Sequence, residues 1–303
     1  MLFLDEPAVR ELLRWEELIP AMERALAEFS RGSVLNPVRA VLTIEEGRRY
    51  VGLMPAVASD VMGLKFVAFY PSNAGTEQPT HQATIVLYRT ADGQPLAVMD
   101  GRLITEMRTA AVSAAITNYL APPKSSVLAI LGSGVQAGAH LAALRHVRDF
   151  SEVRVWSRNA RHAQRFAREH GVSAAATAEE AVRGAGVVVT ATAAHDPIVR
   201  GAWLKQGAHV NAVGSSRPDW RELDDDAMAN TVVVDSREAA AVEAGDVILA
   251  KAKVYAEVGE IFAGLKAAVP SDTTIFKSVG LAVEDIAAAK LVLEAHDRRD
   301  RRS

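Results

Sequence analysis

The sequence predicts an α/β protein with two parts: a doubly wound parallel sheet of the Rossmann type, and an α+β domain built on an antiparallel sheet. From residue 127 onward, short apolar segments alternate with helical patterns, as a parallel sheet with crossover helices requires. Before residue 115, apolar segments follow one another with only turns between them, which is typical of antiparallel sheets. The 303 residues, 49% of them apolar, are enough for two domains with separate cores.

The elements of the first part can be placed in order. A helix is expected to open at Phe3 and continue from Glu6, and a second helix is expected over residues 17–29. Polar or glycine-containing turns separate five expected strands, at residues 38–42, 50–54, 63–70, 82–88 and 95–100. A long helix over residues 105–119 then leads to the second part. Near the end of the chain, the amphipathic pattern of residues 283–296 predicts a helix that packs back onto the first domain.

In the second part, six apolar segments predict parallel strands, at residues 127–131, 153–156, 186–192, 208–214, 231–235 and 274–277. The turn after the first of them has the composition of a dinucleotide-binding loop. Gly132 permits a tight turn, Gly134 lets a pyrophosphate approach the backbone, and Ala137 allows close packing of the next helix. This glycine pattern is weak alone, but the strand, helix and second strand in sequence predict a dinucleotide-binding fold.

The end of the second parallel strand indicates which dinucleotide is bound. A carboxylate usually stands there to hold the ribose 2′-hydroxyl, but this chain has Ser157, Arg158 and Asn159 instead. These side chains donate hydrogen bonds and suit a 2′-phosphate, so we expect NADPH, with NADH bound more weakly. The alternative is that Arg158 is a solvated residue next to a basic helix.

Composition excludes several classes of function. The chain has no cysteine, which excludes disulfides, thiolate metal sites and thiol catalysis. No histidine pair has metal-site spacing, so no metal is expected. A net charge of −3 argues against a nucleic-acid partner. Neither a membrane-spanning run nor a secretory signal is present. We therefore expect a cytoplasmic protein without a nucleic-acid or membrane partner.

Three cations in the first part stand in unusual contexts: Arg39, Lys65 and Arg108. Lys65 interrupts an apolar strand, where an unpaired buried charge is costly, so it either points to solvent or faces an anionic ligand. Arg39 and Arg108 together could clamp the carboxylate of an amino or imino acid. Their alternative role is in a salt bridge between domains or subunits.

Polar residues at strand ends are further candidates. The loop that follows residues 208–214 leaves a parallel strand at its carboxyl end, where ligands bind in such sheets. Ser215 and Ser216 of that loop could present hydroxyls to substrate or nicotinamide, or could simply belong to a turn. Weaker candidates are Thr80, His81, Gln82 and Ser278.

Taken as a set, these residues resemble the ornithine cyclodeaminase/mu-crystallin family, and within it the mu-crystallin-like ketimine reductase branch. The resemblance covers nearly the whole chain and is carried by residues 78–84 (Gln-Pro-Thr-His-Gln-Ala-Thr), 96–101 (Leu-Ala-Val-Met-Asp-Gly), 108–114 (Arg-Thr-Ala-Ala-Val-Ser-Ala), 132–137 (Gly-Ser-Gly-Val-Gln-Ala), 211–214 (Asn-Ala-Val-Gly), 217–225 (Arg-Pro-Asp-Trp-Arg-Glu-Leu-Asp-Asp) and 276–280 (Phe-Lys-Ser-Val-Gly). It implies a substrate-binding and dimerisation domain over residues 1–118 and 283–303, a Rossmann NADP(H)-binding domain over residues 119–282, and a homodimer.

The resemblance also implies roles for individual residues. Substrate contacts would fall on Arg39, Lys65, Arg108 and Glu243, and catalytic roles on Lys65, Arg108 and Ser216. Cofactor contacts would fall on Thr80, His81, Gln82, Arg108, Gly132, Ser133, Gly134, Val135, Gln136, Ser157, Arg158, Asn159, Thr192, Val213 and Ser278.

One position separates two branches of the family. Ornithine cyclodeaminases have a catalytic aspartate where this chain has Ser216, whereas the mu-crystallin-like branch also has serine there. The resemblance therefore implies NADPH-dependent reduction of cyclic ketimine carboxylates, with 1-piperideine-2-carboxylate or 1-pyrroline-2-carboxylate as substrates and pipecolate or proline as products. The alternatives are an ornithine cyclodeaminase, an enzyme like alanine dehydrogenase, or a non-catalytic protein that binds NADPH and an iodothyronine-type ligand.

Overall fold

The computed structural model describes residues 1–73 and 75–301 and divides the chain into two compact units. The first unit contains Met1–Arg108 and the chain from Leu281 onward, and the second contains Thr109–Gly280. The division falls inside a long helix, Arg102–Leu120, whereas the sequence analysis placed it at the end of that helix.

A six-stranded sheet forms the centre of the first unit, in the order β1-β6-β5-β4-β3-β2. The strands are β1 (Leu2–Leu4), β2 (Ala40–Glu45), β3 (Arg49–Val57), β4 (Val61–Phe69), β5 (His81–Arg89) and β6 (Pro95–Asp100). All pairs are antiparallel except that of β1 with β6. The helices are α1 (Glu6–Leu12), α2 (Trp15–Ser30), the first part of α3 (Arg102–Leu120) and α11 (Ala282–Asp300). The prediction of an antiparallel sheet is confirmed.

One element at the start of the chain differs from the prediction. Phe3 lies in strand β1, and the helix starts only at Glu6, because the Asp5 side chain caps it by accepting a hydrogen bond from Ala8 N at 3.0 Å. Strand β1 pairs with β6, which is distant in the sequence, so the residues around Phe3 did not by themselves indicate a strand.

The two faces of this sheet have different surroundings. Helix α11 packs against β3, β4 and β5 and against helix α2, and the sheet residues that face it, such as Ile85 and Leu87, are fully buried. Alternation along the strands places Phe66 on the opposite face, where it is exposed together with Leu42 and Phe3. The second face is therefore an apolar surface that no described element covers.

The second unit is built on an eight-stranded parallel sheet in the order β13-β12-β14-β11-β10-β7-β8-β9. Its strands are β7 (Val127–Leu131), β8 (Glu152–Trp156), β9 (Ser173–Ala174), β10 (Val187–Thr190), β11 (His209–Ala212), β12 (Thr231–Val234), β13 (Val254–Glu257) and β14 (Thr274–Lys277). Its helices, besides the rest of α3, are α4 (Val135–Arg145), α5 (Ala160–His170), α6 (Ala178–Val182), α7 (Asp225–Met228), α8 (Arg237–Glu243), α9 (Gly245–Ala250) and α10 (Val258–Phe262).

This sheet confirms the predicted doubly wound architecture. The six predicted strands are present, and β9 and β13 are additional. Both lie at the edges of the sheet: β9 has only two residues, both exposed, and β13 has four residues of mixed burial. The central strands are fully buried, as expected for a sheet covered on both faces. The strand order reverses at β7, which lies between β8 and β10, and ligands of open α/β sheets bind at the carboxyl ends next to such a point.

No helix among residues 1–73 and 75–301 is long and apolar enough to cross a membrane.

Candidate active site

The glycine turn between β7 and α4 has the geometry of a phosphate-binding loop. Gly132 has a φ of +120°, and a Cβ atom there would lie 2.4 Å from the Ala191 carbonyl oxygen, so only glycine fits. Gly134 caps helix α4 with a φ of −91°, and a Cβ there would meet no atom within 4 Å. Ala137 is fully buried against the sheet. The turn thus leaves open space in front of the free amides of an eleven-residue helix, and a pyrophosphate fits this arrangement.

The three residues expected at the 2′-phosphate lie at the end of β8. Ser157 is half-buried, while Arg158 and Asn159 are exposed. Asn159 caps helix α5, because its side-chain oxygen accepts a hydrogen bond from Arg161 N at 3.0 Å. Its oxygen therefore has a structural partner, and the exposed guanidinium of Arg158 is the cation at this position.

Further predicted cofactor residues lie at the carboxyl ends of three strands that are neighbours in the sheet. Thr192 follows β10, Val213 follows β11, and Ser278 follows β14. The Ser278 hydroxyl donates to Asp235 Oδ2 at 3.1 Å, and the same oxygen accepts from Val279 N at 2.7 Å. The structure therefore brings these residues to the same edge of the sheet as the glycine turn. Asp235, which the sequence analysis did not single out, holds the loop after β14.

Other candidates in this unit differ in their surroundings. Ser133 is half-buried and Val135 is exposed beside the glycine turn. The Oε1 atom of Gln136 is buried and accepts no hydrogen bond from the described residues, so it is available to a ligand. Glu243 is half-buried at the end of helix α8.

The two serines of the loop after β11 have different environments. Ser215 has a φ of +51°, and its hydroxyl donates to the Ala194 carbonyl oxygen at 2.6 Å. This hydroxyl is engaged inside the protein. Ser216 is exposed at the next position, so of the two it is the one that can present a hydroxyl to a ligand.

In the first unit, Lys65 and Arg108 belong to a buried ion cluster with Glu284 and Asp285 of helix α11. The Lys65 Nζ atom lies 2.7 Å from Asp285 Oδ2, as an ion pair without hydrogen-bond geometry, and donates to Thr105 Oγ1 at 3.3 Å. Arg108 donates from Nε to Asp285 Oδ1 at 2.9 Å and from Nη1 to Glu284 Oε2 at 2.5 Å. Two positive and two negative side chains thus neutralise each other in the interior.

This cluster excludes one of the alternatives that the sequence left open for Lys65, its exposure to solvent. Lys65 is 1% exposed, so the solvent-facing alternative is wrong, and the anion that it faces is Asp285 of the same chain. Arg108 forms its ion pairs inside its own unit. Its guanidinium is therefore already bound by two carboxylates, and the sequence analysis did not foresee this.

The cluster also changes the acidity of its members. Burial lowers the pKa of Lys65 to about 8, although the negative charge of Asp285 opposes this shift; the positive charges of Arg108 and Arg39 add to it. Burial also lowers the pKa of Arg108, but the negative charges of Asp285 and Glu284 outweigh this effect, so that the pKa of Arg108 is raised. Lys65 is therefore a cation that can release a proton near neutral pH, while Arg108 stays charged.

The remaining candidates of the first unit lie at the start of β5. The His81 ring is exposed and stacks on Phe69, with 4.4 Å between ring centroids, and its Nδ1 atom lies 3.2 Å from Thr80 Oγ1. Gln82 is exposed. Arg39 is half-buried just before β2, and its positive charge helps to lower the pKa of Lys65.

Glu284 and Asp285 are the two members of the buried ion cluster that sequence reasoning missed. Acidic residues are common in the first turn of any helix, where they interact with the helix dipole. The Glu284 Oε1 atom does cap α11 in this way, by accepting from Leu281 N at 3.0 Å. The only distinguishing signal was that two carboxylates start a helix that is otherwise apolar on its buried face.

These features define a nucleotide-binding protein that contains a Rossmann unit and a second unit with a buried ion cluster of two cations and two carboxylates. No group of three or more histidine or acidic residues suited to a metal occurs in the part of the chain that the structure describes. The profile of the ornithine cyclodeaminase/mu-crystallin family matches residues 1–299. The chain belongs to this family, and the resemblance seen in the sequence is confirmed.

Three relatives show the range of the family. Ketimine reductase mu-crystallin of Mus musculus is 48% identical over 302 residues, which cover 97% of this chain and 96% of the relative. The solved structure of Thermococcus litoralis Delta(1)-pyrroline-2-carboxylate reductase, in complex with NADH and L-proline, is 34% identical and superposes with a TM-score of 0.94 over 99% of this chain and 98% of that one. An archaeal alanine dehydrogenase dimer with bound NAD is 35% identical, with a TM-score of 0.92 over 99% and 97%.

Proposed function

We propose that this protein is an NAD(P)H-dependent reductase of cyclic ketimine carboxylates, which converts 1-piperideine-2-carboxylate or 1-pyrroline-2-carboxylate into pipecolate or proline. The observation that carries the proposal is the 48% identity, over 97% of the chain, to a ketimine reductase. The reductase from Thermococcus litoralis, whose structure contains NADH and L-proline, supports the same class of substrate. The cytoplasmic location expected from the sequence is part of this proposal.

The residues of the two units divide the chemistry between them. A bound nicotinamide would supply the hydride for reduction of the imine. The glycine turn would hold the pyrophosphate, and Gln136, Thr192, Val213 and Ser278 would hold the rest of the dinucleotide. Arg39 would bind the substrate carboxylate, and the exposed Ser216 would donate a hydrogen bond to the substrate.

Lys65 would supply the proton that the reaction requires. Reduction of a C=N bond adds a hydride to carbon and a proton to nitrogen, so a neutral imine must acquire one proton from a donor in each turnover. Lys65 has the properties of such an acid, since burial brings its pKa to about 8. Arg108 would act by keeping Asp285 in place beside it, at 2.9 Å, and thus takes the part of a positioning residue.

The proposal is tested by adding each ketimine with NADPH to the purified protein and following the oxidation of NADPH, in parallel with ornithine and a measurement of released ammonia. Rapid ketimine reduction without ornithine turnover is expected. Faster turnover of ornithine would overturn the proposal. The similarity to an archaeal alanine dehydrogenase favours one second candidate, so pyruvate with ammonia is included, and a higher rate there would replace the proposed substrate.

We expect the cofactor to be NADPH, and Arg158→Ala tests this. The exposed Arg158 guanidinium would pair with the 2′-phosphate, which NADH lacks. Its removal should weaken NADPH binding about tenfold or more, the loss for one charge-assisted hydrogen bond, and leave NADH binding unchanged. Fluorescence titration of both cofactors measures this. Arg165→Ala, at an exposed position of the following helix α5, is the matched control. Equal losses of NADPH and NADH affinity in Arg158→Ala would contradict the assignment of Arg158 to the 2′-phosphate.

We also propose that the protein is a homodimer formed through the apolar face of the first sheet. Phe66, Leu42 and Phe3 are exposed there, on strands β4, β2 and β1, without a covering element, and exposed apolar residues gathered on one sheet face are typical of a protein interface. The archaeal relative is described as a dimer, which supports a second copy as the occupant.

Phe66→Glu is expected to convert this dimer to a monomer, because it would bury an unpaired carboxylate in the interface. Light scattering after size-exclusion chromatography measures the mass. Val242→Glu, at an exposed apolar residue of helix α8, is the control that should leave the mass unchanged. A wild-type protein that is already monomeric would refute the proposal.

A further inference from the structure

Two loops at the carboxyl edge of the parallel sheet are tied to each other. The loop after β10 carries Thr192, and the loop after β11 carries Val213 and Ser216. Ser215 N donates to the Thr192 carbonyl oxygen at 3.1 Å, and Ser215 Oγ donates to the Ala194 carbonyl oxygen at 2.6 Å. The residues that we propose to contact the cofactor and the substrate therefore lie on two loops that are hydrogen-bonded to each other.

A fully buried carboxylate, that of Glu222, joins the two loops. Its Oε1 atom accepts from the Thr192 backbone at 2.8 Å and from the Thr192 hydroxyl at 2.6 Å. Its Oε2 atom accepts from the Thr190 hydroxyl at 2.7 Å and from Gly214 N at 3.0 Å. Two of these partners are backbone amides, which can only donate, and each Glu222 oxygen accepts from one of them. Burial raises the pKa of the Glu222 carboxyl, and the positive charge of Lys277 opposes this shift.

A buried lysine holds the same loop from the other side. Lys277, the last residue of β14, is fully buried, and its Nζ atom donates to the Gly214 carbonyl oxygen and lies 3.4 Å from that of Ser215. The N–H and the C=O of Gly214 are thus bound by Glu222 and Lys277 respectively. A Cβ at Gly214 would lie 2.5 Å from Glu222 Oε1 and 2.2 Å from the Thr192 carbonyl oxygen, so this packing requires glycine.

Asp246 closes the network. Its Oδ2 atom lies 2.9 Å from Lys277 Nζ as an ion pair, and its Oδ1 atom accepts from the backbone amides of Glu222 and Leu223, both at 2.8 Å. It therefore positions both charged residues that hold Gly214. No role for Glu222, Asp246 or Lys277 was predictable from the sequence.

A contribution to stability alone does not account for this arrangement. Buried ion pairs cost desolvation, and apolar residues of similar volume often give equal or greater stability. This network lies at the carboxyl ends of β10, β11 and β14, where ligands of such sheets bind. We propose that Glu222, Asp246 and Lys277 are positioning residues, which hold Thr192, Val213 and Ser216 in the geometry that hydride transfer requires. This inference rests on the proposed reductase function and deepens it.

Glu222→Gln is the test, because it keeps the shape of the side chain and replaces one acceptor oxygen with an NH2 group. Either Thr192 N or Gly214 N then loses its acceptor. We expect kcat for ketimine reduction to fall about 10- to 100-fold, the size of effect that a small misplacement of reacting groups produces. We also expect weaker NADPH binding and faster amide hydrogen exchange in the segments that contain Thr192 and Gly214.

Glu260→Gln is the matched control, since that carboxylate also accepts a backbone hydrogen bond, from Glu257 N at 2.8 Å, and pairs with Arg237 at 2.7 Å, both outside the two loops. It should lower the melting temperature but leave kcat, KM and exchange in the two loops unchanged. If Glu222→Gln also lowers only the melting temperature, the network is structural and the proposal is overturned.

Two further experiments cover the cases in which Glu222→Gln does not fold or the wild-type protein reduces no ketimine. If Glu222→Gln does not fold, Thr190→Val removes a single donor from the network, and a smaller fall in kcat is expected; wild-type kinetics in that variant would overturn the proposal. If the wild-type protein reduces no ketimine, the proposed function fails, but NADPH affinity and loop exchange still report on positioning. Unchanged values of both in Glu222→Gln would then overturn the positioning role by itself.

Discussion

Replacement of Lys65 by methionine is expected to lower kcat for ketimine reduction by about 10²- to 10⁴-fold, the contribution of a positioned general acid, while NADPH binding is retained. Methionine fills the buried space but carries no proton. Steady-state kinetics and NADPH titration measure the two effects. A kcat within a factor of about two of the wild type, far below the general-acid range, would remove Lys65 from the chemistry.

This substitution also leaves the carboxylate of Asp285 without its nearest cation, which lies 2.7 Å away in the wild type. Loss of one partner from a buried ion pair costs about 3–5 kcal/mol, so the melting temperature should fall too. The double variant Lys65→Met/Asp285→Asn removes both charges and should regain part of the stability without regaining turnover. In Lys65→Met alone, Asp285 keeps Arg108 at 2.9 Å, but the cluster then carries one excess negative charge. Recovery of turnover in the double variant would show that this excess charge, rather than the missing proton, caused the loss.

The rate of ketimine reduction is expected to fall as the pH rises. Burial lowers the pKa of Lys65 to about 8, so the proton-donating form predominates at neutral pH and is lost as the pH rises through that value. In the reduction direction, kcat should therefore decline above about pH 8. In Lys65→Arg, any activity that remains should persist to higher pH, because a guanidinium stays protonated there. A decline at the same pH in both proteins would assign the titration to another group.

Gly132→Ala is expected to destabilise the second unit and abolish measurable NADPH binding. The φ of Gly132 is +120°, and the new Cβ would lie 2.4 Å from the Ala191 carbonyl oxygen. Strain at such a φ costs about 1–3 kcal/mol, and the collision with backbone adds about 1–3 kcal/mol. The sum is a large part of the total stability of a domain, about 5–15 kcal/mol. Thermal unfolding and fluorescence titration provide the two measurements.

Gly134→Ala separates folding from binding. A Cβ at Gly134 meets no atom within 4 Å, and its φ of −91° is accessible to alanine, so the melting temperature should not change. The methyl group would still occupy the space through which a pyrophosphate approaches the amides, and NADPH binding should weaken. If Gly132→Ala melted like the wild type, the steric role of this glycine would be wrong.

The placement of the glycine turn that we propose as the nucleotide site was predictable because its information is local. The strand, the turn with Gly132 and Gly134 and the next helix are consecutive in the chain, and each position imposes its own restriction on the backbone. The same holds for Thr192, Val213 and Ser278, since residues that follow parallel strands meet at one edge whenever the strands pair as expected.

The ion clusters could not be predicted in the same way. Arg108 and Asp285 are 177 positions apart in the chain, and a lysine in an apolar strand is compatible with solvent, ligand or an internal partner. Glu222 resembled any other residue of a polar loop. In each case the role of the residue depends on which distant group compensates its charge, and alternation along a strand does not contain that information.

The sequence by itself therefore determined the two-part fold, the dinucleotide loop and the family, because periodicity, glycine positions and consecutive motifs act through neighbouring residues. Only the tertiary structure decided that Lys65 and Arg108 face Asp285 and Glu284, and that Glu222 and Lys277 hold Gly214 between them. The physical reason is that a buried charge is tolerated only beside a compensating group, and folding brings that group from a remote part of the chain.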